Sequence, residues 1–197
     1  CIRDRYFMDY YIYQSDITVD LQSNTVEIHK NRTEDWKVTV VDTGLYSATG
    51  QRVAAVQEYI DGDEFIVTYG DCLFDIDVEK MIAYHMERNR SATMAVARPT
   101  GRNEALDIDQ DGQIVKIQQN AATNEAWTNA GLYVLNRKVF SVLQGNYNLE
   151  ELLTNHLAEK GELITYKHNG FWTPVETYRD MVNMENLWNA DIAPWAR

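Results

Sequence analysis

The sequence predicts an α/β fold with a mostly parallel central sheet, built as a single domain over residues 1–197. Three observations predict it. The runs DEFIVTYGD, ATMAVA, AGLYVLN and ELITYKH have the length and β-branched or aromatic content of buried strands. Segments such as DVEKMIAYHMERN and NLEELLTNHLAEK carry apolar residues at helical spacing. Strand and helix signals then alternate along the chain, the order that lays helices over the faces of a parallel sheet.

Taken in order, RYFMDYYIY places Tyr6, Phe7, Tyr10 and Tyr11 on one helical face. DITVDL and TVEIHK alternate like paired strands joined by a Ser-Asn turn. KVTVVDTG predicts a third strand, running into the loop DTGLYSATG. QRVAAVQEYI predicts a short helix with Val53, Val56 and Ile60 on its buried face. Asp77 is the expected N-cap of the DVEKMIAYHMERN helix. EALDID and QIVKIQ flank the Asp111-Gly112 pair and predict a hairpin. NLEELLTNHLAEK has Asn148 as cap and Gly161 as stop, FWTPVET is extended, and YRDMVNMENLWNA closes the chain as a helix. Repeats, linkers and low-complexity segments are absent from the sequence.

Composition removes several function classes. Asp and Glu total 30 against 18 Lys and Arg, a net charge of −12. That field disfavours nucleic acid and anionic membrane as partners, and it repels anionic substrates unless a metal ion or a local basic group offsets it. No apolar run reaches the length of a membrane span. The 2 cysteines, Cys1 and Cys72, have no metal-ligand spacing and make a disulfide framework improbable, so a reducing cytoplasm is the expected compartment. The start CIRDRYF lacks an initiator Met and a signal-peptide pattern, and reads as the interior of a longer chain. The four histidines, His29, His85, His156 and His168, share no metal-ligand spacing.

The stretch DIDQDGQIVKIQQN opens like a calcium loop. Asp107, Asp109, Asp111, Gly112 and Ile114 occupy the right offsets. The closing position is Gln118, which cannot supply a bidentate carboxylate, and the flanks alternate like strands where the motif needs helices. A polar hairpin turn is the better reading.

Several pieces occur in a telling order: VTVVDTGLYSATGQRV, FIVTYGD, GRNEALDI, TNAGLYVLN, GFWTPVETYRD and LWNADIAPW. Together they resemble the glucose-1-phosphate cytidylyltransferases of the sugar-1-phosphate nucleotidyltransferase family, over nearly the whole chain. The resemblance implies a Rossmann-like nucleotidyltransferase domain with a small C-terminal lobe. It implies transfer of CMP from CTP to a sugar 1-phosphate, giving a CDP-sugar and pyrophosphate. The expected setting is synthesis of sugars for cell-surface polysaccharide such as lipopolysaccharide O-antigen, by a homo-oligomer that uses Mg²⁺. Such chemistry consists mostly of aligning anions and neutralising their charge.

Site residues follow from the same resemblance. It implies Thr49, Gly50, Arg52 and Tyr69 for the nucleotide, and Gly101, Arg102, Asn129 and Gly131 for the sugar phosphate. Asp71 in TYGD is the implied Mg²⁺ ligand; by itself it reads equally as the cap of a turn. Glu176 in TPVET stands where the family has an Asp, and either ligates the metal or only salt-bridges.

The departures are as informative. Where the family has a Glu-Lys pair whose Lys contacts the sugar phosphate, this chain has Gln119 and Asn120, so no residue here is assigned that catalytic place. Glu104 and Ala130 replace glycines of the family pattern. Nothing matches the family's Gly-rich GGxGTR loop, so the first βαβ unit is expected to be missing and the chain alone to be inactive. A non-catalytic paralogue that binds nucleotide or sugar phosphate, or an enzyme of shifted specificity, are the alternatives.

Overall fold

The computed structural model describes residues 2–98, 105–109, 112–118 and 127–196. Gly101, Arg102, Glu104, Gln119 and Asn120, all singled out above, lie outside the described residues. The chain divides into two compact units, Cys1–Asp42 and Thr43–Arg197.

In the first unit, α1 (Ile2–Tyr13) leads into an antiparallel hairpin of β1 (Ser15–Asp20) and β2 (Thr25–Asn31). Asp20 turns the chain by accepting the Gln22 and Ser23 amides on one carboxylate oxygen, and Asn24 takes the left-handed conformation that closes the turn. Tyr10 stacks on Trp36 and donates to Glu34 at 2.6 Å. Together with Val38 and Val40 these aromatics line a cleft of about 650 Å³. The strand expected at KVTVVDTG is not formed: residues 37–44 belong to no strand. A strand exists only by pairing, and β-branched residues without a neighbouring strand stay irregular.

The second unit holds the remaining elements in the order α2 (Thr49–Ala55), β3 (Glu64–Thr68), β4 (Cys72–Phe74), α3 (Val78–Arg88), β5 (Ala92–Ala97), β6 (Ala105–Ile108), β7 (Ile114–Gln118), β8 (Thr128–Asn136), α4 (Leu149–Leu153), β9 (Leu163–His168), β10 (Trp172–Pro174) and α5 (Tyr178–Asn189). The main sheet has the order β3-β8-β5-β9. Its strands β3, β5 and β9 run one way, while β8 lies between β3 and β5 and is antiparallel to both. The expected mostly parallel sheet thus has three strands running one way and a single reversed strand, β8, with β5 and β9 as the parallel neighbours. The reason is connectivity. A parallel crossover needs a helix of a dozen residues or so, and the excursion from β5 to β8 contains the β6–β7 hairpin instead.

Both faces of β5 and β8 are covered. Alternate residues Met94, Val96, Tyr133 and Leu135 pack with Leu149, Leu152, Leu153 and Leu157 from α4 and the turn beyond it. The opposite face puts Ala95, Ala97, Leu132 and Val134 against Met81 of α3, Ile76 and Trp172. Three layers result, helix over sheet over helix. Asp77 caps α3 as expected, accepting the Lys80 amide at 3.0 Å. The hairpin is also present. Asp109 accepts the Gln113 amide, and Thr165 of β9 binds the Gly112 carbonyl through both its amide and its hydroxyl. At the C-terminal end, α5 and the turn after it are part of this same compact unit.

The cap of α4 differs from expectation. Asn148 holds the N-cap position, but its side chain makes no capping bond. The Thr49 hydroxyl does so instead, accepting the Leu149 amide at 2.8 Å across 100 residues of sequence. Thr49→Ala is therefore expected to lower unfolding free energy by about 1 kcal/mol, the usual cost of a lost cap. Asn148→Ala should stay within about 0.5 kcal/mol of the parent. Urea denaturation of the two variants checks this.

Candidate active site

The reversed direction of β8 sets the site. Its first residues lie at the edge where β3 and β5 end, the carboxyl edge at which α/β sheets place ligands. Asn129 and Gly131 of β8 are brought there beside Tyr69, which follows β3 and donates its amide to the Gly131 carbonyl at 2.8 Å. Gly131 has φ +76°, and a Cβ on it would sit 3.1 Å from the Cys72 sulfur. The sequence keeps a glycine because both backbone and space demand one.

The polar centre of this corner is a carboxylate that sequence reading missed. Glu150, in the first turn of α4, receives three donors on one oxygen, Oε1. They are the Tyr69 hydroxyl at 2.5 Å, the Tyr133 hydroxyl at 3.0 Å and Asn129 Nδ2 at 3.1 Å. Asn129 Nδ2 also donates to the Tyr133 oxygen at 2.5 Å, and its Oδ1 accepts the Gly131 amide at 2.9 Å. Burial pushes both phenols above the ordinary tyrosine range, and the Glu150 charge adds to it. The signal in sequence was only an acidic residue at the start of a helix, which reads as a dipole complement rather than a partner.

The nucleotide candidates meet the same helix end. Thr49 caps α4, and the Gly50 amide donates to the Tyr147 carbonyl at 3.1 Å. Gly50 is buried so closely that a Cβ would fall 2.6 Å from a Leu152 methyl. Arg52 is placed one turn further along α2, and its guanidinium holds the preceding loop. It donates to the Ser47 carbonyl at 2.8 Å, the Thr43 hydroxyl at 2.9 Å and the Leu45 carbonyl at 3.3 Å.

Asp71 and Glu176 come together across a two-stranded ribbon. β4 pairs with β10 so that Cys72 faces Pro174, and the Val175 amide binds the Asp71 carbonyl at 2.7 Å. Burial, reinforced by the Asp71 and then the Glu176 carboxylates, pushes the intervening Cys72 thiol up to about 12. Both carboxylates are exposed. Among the described residues no group of three or more His, Cys, Asp or Glu is placed to hold a metal. Two carboxylates are the hard oxygen donors that Mg²⁺ takes, an ion that keeps several waters and fills its shell with phosphate oxygens.

This sheet and this corner define a class, the α/β transferases of nucleotidyl groups. Residues 11–190 match the nucleotidyl transferase family, and the chain belongs to it. More particularly, it is similar to glucose-1-phosphate cytidylyltransferases. It is 41% identical over 194 residues to that of Salmonella typhi and 40% identical to that of Salmonella typhimurium, covering 96% of this chain and 74% of each relative. Solved structures give the same fold at low identity. Apo UDP-glucose pyrophosphorylase superposes with TM-score 0.61 at 14% identity, over 77% of this chain and 63% of that one. The inositol-1-phosphate CTP transferase of T. maritima gives 0.54 at 16%, over 68% and 58%. The chain thus spans less than two thirds of these two structures. Among the described residues, no helix is long and apolar enough to cross a membrane.

Two outcomes test the corner. Gly131→Ala should cost about 1–3 kcal/mol, since both the positive φ and the Cys72 sulfur oppose a methyl. Gly70→Ala, with nothing within 4 Å of the added carbon, should leave the denaturation midpoint nearly unchanged. The phenols give a pH signature. An unfolded tyrosine ionises near about 10, whereas Tyr69 and Tyr133 keep their protons to higher pH. Their contribution to stability is fully present below about pH 10 and is lost as pH rises past it. Urea unfolding between about pH 9 and 11 should show that decline, and Tyr69→Phe should flatten it by up to about 1.4 kcal/mol per pH unit.

Proposed function

We propose that this chain carries the acceptor side of a glucose-1-phosphate cytidylyltransferase. A phosphate oxygen of the sugar 1-phosphate attacks the α-phosphorus of CTP, and pyrophosphate leaves. The observation that carries this reading is the meeting of Tyr69, Asn129 and Gly131 with the α4 end that Thr49 caps, at the carboxyl edge of the sheet. Asp71 and Glu176 would hold Mg²⁺, whose charge, when bound, offsets the phosphates in a protein of net charge −12. Gly131 shapes the pocket wall by packing against Cys72 and fixing the Asn129 side chain, and Asn129 offers hydrogen bonding to the sugar. Arg52 would turn its guanidinium from the 43–47 loop toward phosphate. The same reading carries a cytoplasmic, homo-oligomeric protein that supplies a CDP-sugar for cell-surface polysaccharide.

Asn120 favours a second reading, a paralogue that binds without turnover, because an amide cannot neutralise a phosphate dianion. One assay separates the two. Pyrophosphate release is followed for the full gene product with CTP, glucose 1-phosphate and Mg²⁺, beside calorimetry of the same ligands. Turnover that falls about a hundredfold or more in Asp71→Asn supports the transferase. Binding without turnover supports the paralogue, and neither binding nor turnover removes both.

A further inference from the structure

We infer that Glu150 is the positioning residue of the acceptor pocket, locking the Asn129 amide so that it meets a sugar hydroxyl as an acceptor and never as a donor. The inference rests on the reading above, in which Asn129 faces the sugar.

The direction of every bond in the corner is fixed by one fact: an ionised carboxylate can only accept. Tyr69 and Tyr133 must therefore give their protons to Glu150 Oε1, at 2.5 and 3.0 Å. Having donated, the Tyr133 oxygen can only accept, and its neighbour at 2.5 Å is Asn129 Nδ2. The second Nδ2 proton goes to Glu150 at 3.1 Å. On the other side, a backbone N–H can only donate, and the Gly131 amide points at Asn129 Oδ1 from 2.9 Å. A flipped amide would set its NH₂ against the Gly131 N–H and its oxygen against the Glu150 carboxylate. Both contacts would be repulsive.

Both Asn129 protons are thus consumed inside the protein. What remains for a ligand is the second lone pair of Oδ1. Such a group binds a hydroxyl, which donates, and rejects a fluorine in its place, which cannot. Glu150 acts on the sugar through Asn129, and it separately holds the Tyr69 hydroxyl at 2.5 Å. Gln at position 150 would weaken the lock, since its amide can present either oxygen or NH₂ to the same three neighbours.

The test uses the full gene product with CTP, Mg²⁺, glucose 1-phosphate and its four monodeoxyfluoro analogues at the 2, 3, 4 and 6 positions. In the parent, one analogue should lose about tenfold or more in kcat/KM against glucose 1-phosphate, the scale of a lost bond to an otherwise unpaired acceptor. In Glu150→Gln that ratio should shrink below about threefold. Damage that is merely structural would lower all activities together and leave the fluoro ratio alone, and that result overturns the inference. A second readout does not depend on turnover. The Asn129 side-chain amide protons, identified in ¹⁵N spectra by their loss in Asn129→Asp, should exchange slowly in the parent and much faster in Glu150→Ala. Should Glu150→Ala not fold, Glu150→Gln carries the comparison. Equal exchange rates sink the lock itself. A slow-exchanging Asn129 in a protein that binds none of the sugar phosphates keeps the lock and sinks its assignment to the acceptor.

Discussion

A buried tyrosine hydroxyl must have a partner, and that requirement organises the functional corner of this protein. Tyr133 lies fully buried on the central strand β8, where packing against α4 leaves its ring no contact with water. An unpaired hydroxyl there would cost on the order of 1–3 kcal/mol. Glu150 meets the need, and in doing so draws in Tyr69 and Asn129 as well. A group that exists to satisfy the core therefore also sets the polarity of the surface next to it. Packing and hydrogen bonding are here one problem, because β8 is at once a buried inner strand of the sheet and the strand whose first residues reach its carboxyl edge.

Much of this was legible in the sequence, for reasons that are local. Asp77 reads as a cap because its carboxylate meets an amide three residues on, and the hairpin reads from Asp111-Gly112 and the alternation on either side. The inner strands β5 and β8 read from composition, since strands buried on both faces must be largely apolar. What failed to read is non-local. The strand expected at residues 37–44 depended on a neighbouring strand, and among the described residues none pairs with it. The direction of β8 depended on the excursion before it. The α4 cap came from Thr49 rather than the adjacent Asn148. Glu150 could not be told from an ordinary acidic helix start, because its three donors sit 17, 21 and 81 residues away.

Charge tells a similar story. In a protein with 12 more acidic than basic groups, Arg52 is committed to three loop oxygens. The acidic groups around the corner are likewise employed, Glu150 by hydrogen bonds and Asp71 and Glu176 as an exposed pair. Arg52 would meet an incoming anion only by exchanging those bonds for others, and a cation arriving with the anion would offset the acidic field.

The Thr49 cap also bears on how the molecule comes into being. The hydroxyl and the amide it binds are 100 residues apart, and Gly50 meets Tyr147 across a similar span. Contacts of that separation close late, after the intervening chain has surrendered its freedom. On a ribosome the loop would wait, half made, until α4 had emerged. The loop that leads into α2 is therefore among the last parts of the fold to gain its shape, and a chain released before residue 149 would lack the amide that Thr49 binds.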